Sequence, residues 1–135
     1  MRAILDVNVL VSALLSPAGS SAALILRWLA GEFELVTSEL LLDELAKAFK
    51  HRKLRSRVTD ARAKAFIEIL RNGSTVAPDP PVRPRRSRDA GDDYLAAFAA
   101  ASHALLVTGD EDLLTLAPGE PVFTPASFLG KLTQS

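Results

Sequence analysis

The hydrophobic pattern along this chain switches repeatedly between two periods. Residues 3–7 (Ala-Ile-Leu-Asp-Val) form a short apolar run with one acid near its end, which predicts a buried strand. Ser16-Pro17-Ala18-Gly19-Ser20 is turn chemistry. Ser20 or Ser21 is then placed to cap a helix over 22–30, which Gly31 stops. Residues 33–37 alternate like a second strand. Ser38 follows as the cap of a helix with Leu41, Leu45, Ala48 and Phe49 on one face and Glu44 beside that stripe. A helix over 60–72 has Ala65, Phe66, Ile69 and Leu70 as its apolar side, and Asn72-Gly73 ends it. Residues 74–77 read as a short strand.

From 78 to 91 the pattern lapses. This stretch holds four prolines, four arginines and little apolar content. A loop of that length inside a domain is commonly functional or mobile. Residues 92–102 are alanine-rich and helical. Residues 104–108 are a buried strand broken by Gly109. Asp110-Glu111-Asp112 then opens a short helix with its acids at the favourable end. Residues 121–124 make a last short strand, and Pro125 begins a final helix over 126–132. Strands alternate with helices throughout, so the class is α/β with a mainly parallel sheet. A ligand belongs beyond the carboxyl ends of those strands.

Composition narrows the class. The chain has 135 residues, which suits a single domain over 1–135 with one core. Apolar residues make up 48% and charged residues 24%, as in folded proteins rather than disordered ones. There is no cysteine, which excludes disulfides and thiolate metal sites. The N-terminus does not read as a signal peptide, and no apolar stretch is long enough to span a bilayer. A cytoplasmic protein without a membrane partner is expected.

The net charge is zero, from 16 basic and 16 acidic residues, which argues against whole-molecule attraction to nucleic acid. The signs are nevertheless segregated. Lys47, Lys50, Arg52, Lys53, Arg55 and Arg57 form one basic run, and Arg83, Arg85, Arg86 and Arg88 another. The acids gather in Asp89/Asp92/Asp93 and Asp110/Glu111/Asp112. Separated patches suit a metal-charged pocket beside a phosphate-binding surface, and equally suit solvated helix faces.

Four acids stand out when placed on the predicted elements. Asp6 ends the first strand. Asp110 follows strand 104–108 through one glycine. Asp92 opens a helix, and Glu44 lies about two turns into another. The first three fall at one edge of a parallel sheet, and a helix over that edge could present Glu44. Carboxylates at close range repel without a cation, and hard divalent ions such as Mg²⁺ or Mn²⁺ take oxygen ligands. Such ions polarise phosphoryl oxygens and activate water. Singly, each acid has a plainer role: Asp6 as a turn cap, Glu44 as an exposed helix residue, Asp92 and Asp110 as N-caps. His51 in the basic run and His103 at a helix end form no catalytic constellation, and no P-loop is present.

The ordered set of motifs resembles the PIN-domain family, and within it the small prokaryotic toxins of toxin–antitoxin systems. The carrying stretches are Ile4-Leu-Asp-Val-Asn-Val-Leu-Val-Ser-Ala13, Thr37-Ser-Glu-Leu-Leu-Leu-Asp-Glu44-Leu with the basic residues after it, and Asp89-Ala-Gly-Asp92-Asp-Tyr-Leu-Ala-Ala. Leu106-Val-Thr-Gly-Asp110-Glu-Asp-Leu-Leu and Val122-Phe-Thr-Pro-Ala-Ser-Phe-Leu129 complete it. The resemblance implies a three-layer α/β/α sandwich with a mainly parallel central sheet. It implies an endoribonuclease dependent on Mg²⁺ or Mn²⁺, working as a homodimer and held by a cognate antitoxin. Its acidic, metal-binding set would be Asp6, Glu44, Asp92 and Asp110, supported by Asn8, Ser38, Thr108 and Asp112. The register of Leu95-Ala-Ala selects Asp92 rather than Asp93. Two positions depart from the family pattern: Val7 where Thr is frequent, and Ala90 where Pro is frequent.

On that reading Lys47, Lys50, Arg52, Lys53, Arg85, Arg86 and Arg88 are candidates for holding the RNA backbone. With one Trp and one Tyr, base stacking is a minor contributor. The competing readings are a non-catalytic module that binds RNA or protein, and a phosphatase using the same metals.

Overall fold

The structure is a computed structural model, and it describes residues 1–81, 90–109 and 122–134, with backbone only for 90–93. Its centre is a five-stranded sheet: β1 (Arg2–Leu5), β2 (Glu34–Thr37), β3 (Thr75–Val76), β4 (Leu105–Val107) and β5 (Val122–Phe123). The order is β3-β2-β1-β4-β5 and every pairing is parallel. Successive strands step one way from β1 to β3, then restart on its other side at β4. The switch point of the sheet therefore lies between β1 and β4, where doubly wound folds place their ligands.

Helices cover both faces: α1 (Val7–Leu15), α2 (Ser20–Leu29), α3 (Glu39–Phe49), α4 (Arg52–Arg55), α5 (Asp60–Gly73), α6 (Ala90–Ser102) and α7 (Pro125–Gln134). The two-residue period of the strands divides the core. Ala3, Leu5, Leu35 and Val107 face one layer, with Leu10, Leu24, Trp28, Leu45, Phe66 and Phe128. Ile4, Val36 and Leu106 face the other, with Leu41, Leu95 and Phe98. This is the three-layer α/β/α arrangement. Phe128 of α7 is fully buried and meets Phe33 edge-on, with ring centroids 5.3 Å apart. Among the described residues, no single helix is long and apolar enough to cross a membrane.

Several local expectations are corrected. β1 stops at Leu5, and the apolar residues after Asp6 form helix α1 instead of prolonging the strand. Asp6 is the N-cap of that helix, so the start signal was the acid itself. Gly19, not Ser20 or Ser21, caps α2. α5 turns its Ala63, Phe66 and Leu70 face inward, while Ala65 and Ile69 are exposed. α6 begins at Ala90 rather than Asp92. A short helix, α4, forms within the basic run. Ser38 caps α3 as expected, accepting from the Leu41 N–H at 3.1 Å. His103, just past α6, has a positive φ of 52°, the left-handed turn that ends helices. Most of the loop read over 78–91 and the short helix expected from Asp110 lie outside the described residues.

Candidate active site

Three adjacent parallel strands, β2, β1 and β4, end at one edge, and each is followed by a buried polar residue. Ser38 and Thr108 are fully buried, and Asp6 is 9% exposed. The Asp6 backbone still belongs to the sheet, because its N–H donates to the Val107 carbonyl at 3.0 Å. Its side chain stands at the β1/β4 switch point. There Thr108 Oγ1 donates to Asp6 Oδ2 at 2.7 Å, and the Asn8 N–H donates to Oδ1 at 3.4 Å. Asn8 itself is exposed. Asp6 is thus a helix cap and a strand-end acid at once. A carboxylate offers about four lone-pair sites, and these two bonds leave others.

Among the described residues, no Lys, Arg or His forms an ion pair with Asp6. A buried carboxylate without a counter-charge is costly unless a cation completes it. Its oxygen donors, its placement and its lack of an ion-pair partner fit a hard divalent ion.

The second acid is placed differently. Glu44 is exposed on α3 and pairs loosely with Lys47 at 3.8 Å, both side chains being more than half exposed. Such a pair contributes little to stability, which leaves Glu44 free to change partners. Asp92 lies in the first turn of α6, and its side chain is not among those described. Asp110 and Asp112 lie outside the described residues, as do Arg85, Arg86 and Arg88. Among the described residues no three Asp, Glu or His side chains gather into a metal cluster. Lys47, Lys50, Arg52 and Lys53 are exposed on α3 and α4 and the turn between them. His51 caps α4, its Nδ1 accepting from the Lys53 N–H at 3.3 Å.

One part of this edge was not anticipated from sequence. The Tyr94 hydroxyl of α6 lies 2.6 Å from Ser38 Oγ and donates to Asp79 Oδ1. Asp79 Oδ2 accepts from the Leu40 N–H at 3.3 Å, in the first turn of α3. Burial works to raise the Asp79 pKa, but hydrogen bonds from Ser38, Tyr94 and Leu40 outweigh it and lower the value. Burial first, and then the Asp79 hydrogen bond, push the Tyr94 pKa well above its ordinary value. The network joins the start of α3, which carries Glu44, to the start of α6, which carries Asp92. The only signals in the sequence were a lone acid between Pro78 and Pro80 and a single tyrosine in an alanine-rich helix.

A doubly wound parallel sheet with a buried aspartate at its switch point defines the class: an α/β domain with a site at the strands' carboxyl edge. The family model for the PIN domain matches residues 2–112, and the chain belongs to that family. No curated protein matches it by sequence. Among solved structures it is similar to PAE2754 from Pyrobaculum aerophilum, with 21% identity and a TM-score of 0.72 over 100% of this chain and 91% of that one. It is also similar to VapBC2 from Rickettsia felis bound to a DNA fragment from their promoter, with 18% identity and a TM-score of 0.61 over 90% and 97% of the two chains. FitAcB from Neisseria gonorrhoeae gives 21% identity and a TM-score of 0.57 over 92% and 98%. At these identities the likeness is one of fold.

Proposed function

We propose that this PIN-domain protein is a Mg²⁺- or Mn²⁺-dependent endoribonuclease and the toxin of a toxin–antitoxin pair. The observation that carries the reading is Asp6: a nearly buried carboxylate at the β1/β4 switch point, oriented by Thr108 and Asn8, with no ion pair among the described residues. Asp6, Glu44, Asp92 and Asp110 would hold the metal. When bound, a divalent ion supplies charge stabilisation at the phosphate and a more acidic water.

The chain's own residues do the rest. Thr108 fixes the direction of the Asp6 carboxylate, as outer partners of metal ligands do. The Ser38–Tyr94–Asp79 network holds the starts of α3 and α6 in register, and so positions the two helices that carry Glu44 and Asp92. Lys47, Lys50, Arg52 and Lys53, with Arg85, Arg86 and Arg88, bind backbone phosphates, so RNA affinity falls as salt rises. A cognate antitoxin as partner, a homodimeric state and a cytoplasmic location belong to the same proposal. The antitoxin partner is supported by the family motifs and by the fold shared with VapBC2 and FitAcB.

The test is RNA cleavage by purified protein with Mg²⁺ or Mn²⁺, beside Asp6→Asn and a chelator control. Metal-dependent cleavage lost in the variant supports the reading. Equal activity in both proteins contradicts it.

A further inference from the structure

A groove of about 600 Å³ runs between α3 and α5. Ala46 and Phe49 of α3 and Ala63 and Ile67 of α5 supply its apolar lining. Phe49 meets Phe66 of α5 edge-on, with ring centroids 6.4 Å apart, which ties the two walls together. The rest of the lining is charged. On α5 it consists of Asp60, Lys64, Glu68 and Arg71, each about one helical turn from the next and alternating in sign. Lys50 and Arg55 stand on the other side. Among the described residues, Arg71 pairs with Glu39, while Lys50, Arg55, Asp60, Lys64 and Glu68 form no ion pair. Pairs between neighbouring turns of one exposed helix are weak, so these charges stay available to a partner.

The sign pattern selects the occupant. A phosphate chain or a uniformly acidic peptide suits Lys50, Arg55 and Lys64 but is opposed by Asp60 and Glu68. A uniformly basic one fails the other way. The occupant that fits carries both signs in alternation, and α5 itself does. Turned end for end, α5 sets Arg71 against Asp60 and Glu68 against Lys64. The midpoints of the two pairings fall within half a residue of each other, so one twofold axis satisfies both. A residue on such an axis meets its own copy, and a charge there would be repelled. The groove residue beside the midpoint is Ile67, which is apolar and half-buried.

We infer that α5 pairs antiparallel with α5 of a second copy of this chain, Asp60 against Arg71 and Lys64 against Glu68, with Ile67 beside the twofold axis. An isologous interface uses each sequence pair twice, once from either copy, so a single charge change is felt twice. The inference names the face behind the homodimeric state proposed above. It rests on that part of the reading and is independent of the nuclease part.

Sedimentation equilibrium on the full chain tests this by charge reversal. The wild type is expected to dimerise, less tightly as salt rises. Lys64→Glu or Glu68→Lys alone sets like charges opposite each other and is expected to raise the dimer dissociation constant about tenfold or more. Both positions are exposed and both replacements favour helices, so each variant is expected to fold. Mixed in equal amounts, the two variants again place opposite charges across the axis, and heterodimers of near wild-type affinity are expected. A defect confined to one chain's own helix would not be rescued by mixing. A wild-type dimer that both reversals leave intact, or single variants that do not recover on mixing, overturns this face and leaves the homodimer to another one. A monomeric wild type overturns the homodimeric state as well, and neither result touches the test of RNA cleavage.

Discussion

Thr108 Oγ1 donates a hydrogen bond to Asp6 Oδ2 at 2.7 Å, joining residues 102 apart in the chain. The bond spans the ends of β1 and β4, whose register pairs Leu5 with Val107 one residue earlier on each strand. Sheet pairing therefore brings the two side chains together, and the hydroxyl then fixes where the carboxylate points. A buried acid used as a metal ligand needs that kind of support, because a ligand that rotates loses its geometry.

Thr108→Val keeps the shape of the side chain and removes the donor. It is expected to lower metal affinity about 10- to 100-fold, the usual cost of losing an outer partner. It should also cost roughly 1–3 kcal/mol of stability through the lost buried bond. Calorimetric Mn²⁺ titration and urea unfolding measure the two effects. Thr108→Ser should restore both in large part. Wild-type affinity in the valine variant would mean that the bond does not orient the acid.

The Tyr94 network makes a pH-dependent contribution whose sign can be worked out. The Asp79 pKa is lowered in the fold, against the rise that burial alone would cause, by its hydrogen bonds to Ser38, Tyr94 and Leu40. Its contribution is therefore fully present above the ordinary carboxylate pKa near 4, and it is lost as pH falls through the lower folded value. Tyr94 acts at the other end. Its raised pKa means that its contribution holds below about pH 10 and declines as pH rises beyond it. Urea midpoints of wild type and Asp79→Asn should differ at pH 6 and converge towards pH 3. Tyr94→Phe should remove the decline specific to alkaline pH. A gap between wild type and Asp79→Asn that stays constant across the acid range would contradict the assignment.

Gly73 closes α5 against the indole of Trp28. A Cβ there would stand 2.9 Å from Trp28 Cζ2, and the indole is buried at 7% exposure. Gly73→Ala gains about 1 kcal/mol of helix propensity at most and incurs roughly 1–3 kcal/mol of overpacking, so net destabilisation is expected. Trp28 is the only tryptophan, and its fluorescence reports the displacement directly. A more stable variant with an unshifted emission maximum would show that the ring moves aside freely.

Much of the fold was legible because the strands and long helices announce themselves by period. Ser38 was readable as a cap because a serine before an apolar helical stripe has few other uses. α1 was not readable in the same way. Val7, Val9 and Val11 alternate with Asn8 and Leu10, so the run mimics a strand, and only the capping action of Asp6 reveals the helix. The face of α5 was misplaced because Ala65 and Ile69 sit beside Phe66 and Leu70 in the sequence, while packing chose Ala63 and half-buried Ile67 instead. At the site, Asp6 and Thr108 were visible as strand-end residues. Asp79 was not, because its meaning depends on a hydroxyl 15 residues later that reaches it only after α6 docks.

Asp6→Asn tests most directly whether Asp6 holds the metal that cleavage needs. The substitution keeps the size of the side chain and its acceptor oxygen for Thr108, and removes the charge. The measurement is Mn²⁺ binding by calorimetry on wild type and variant, paired with RNA cleavage by the same samples and a thermal melt of each. A folded variant with an unchanged or slightly shifted melt, metal binding weakened beyond detection, and no metal-dependent cleavage is expected. A folded Asp6→Asn protein that binds Mn²⁺ and cleaves RNA like wild type would contradict it.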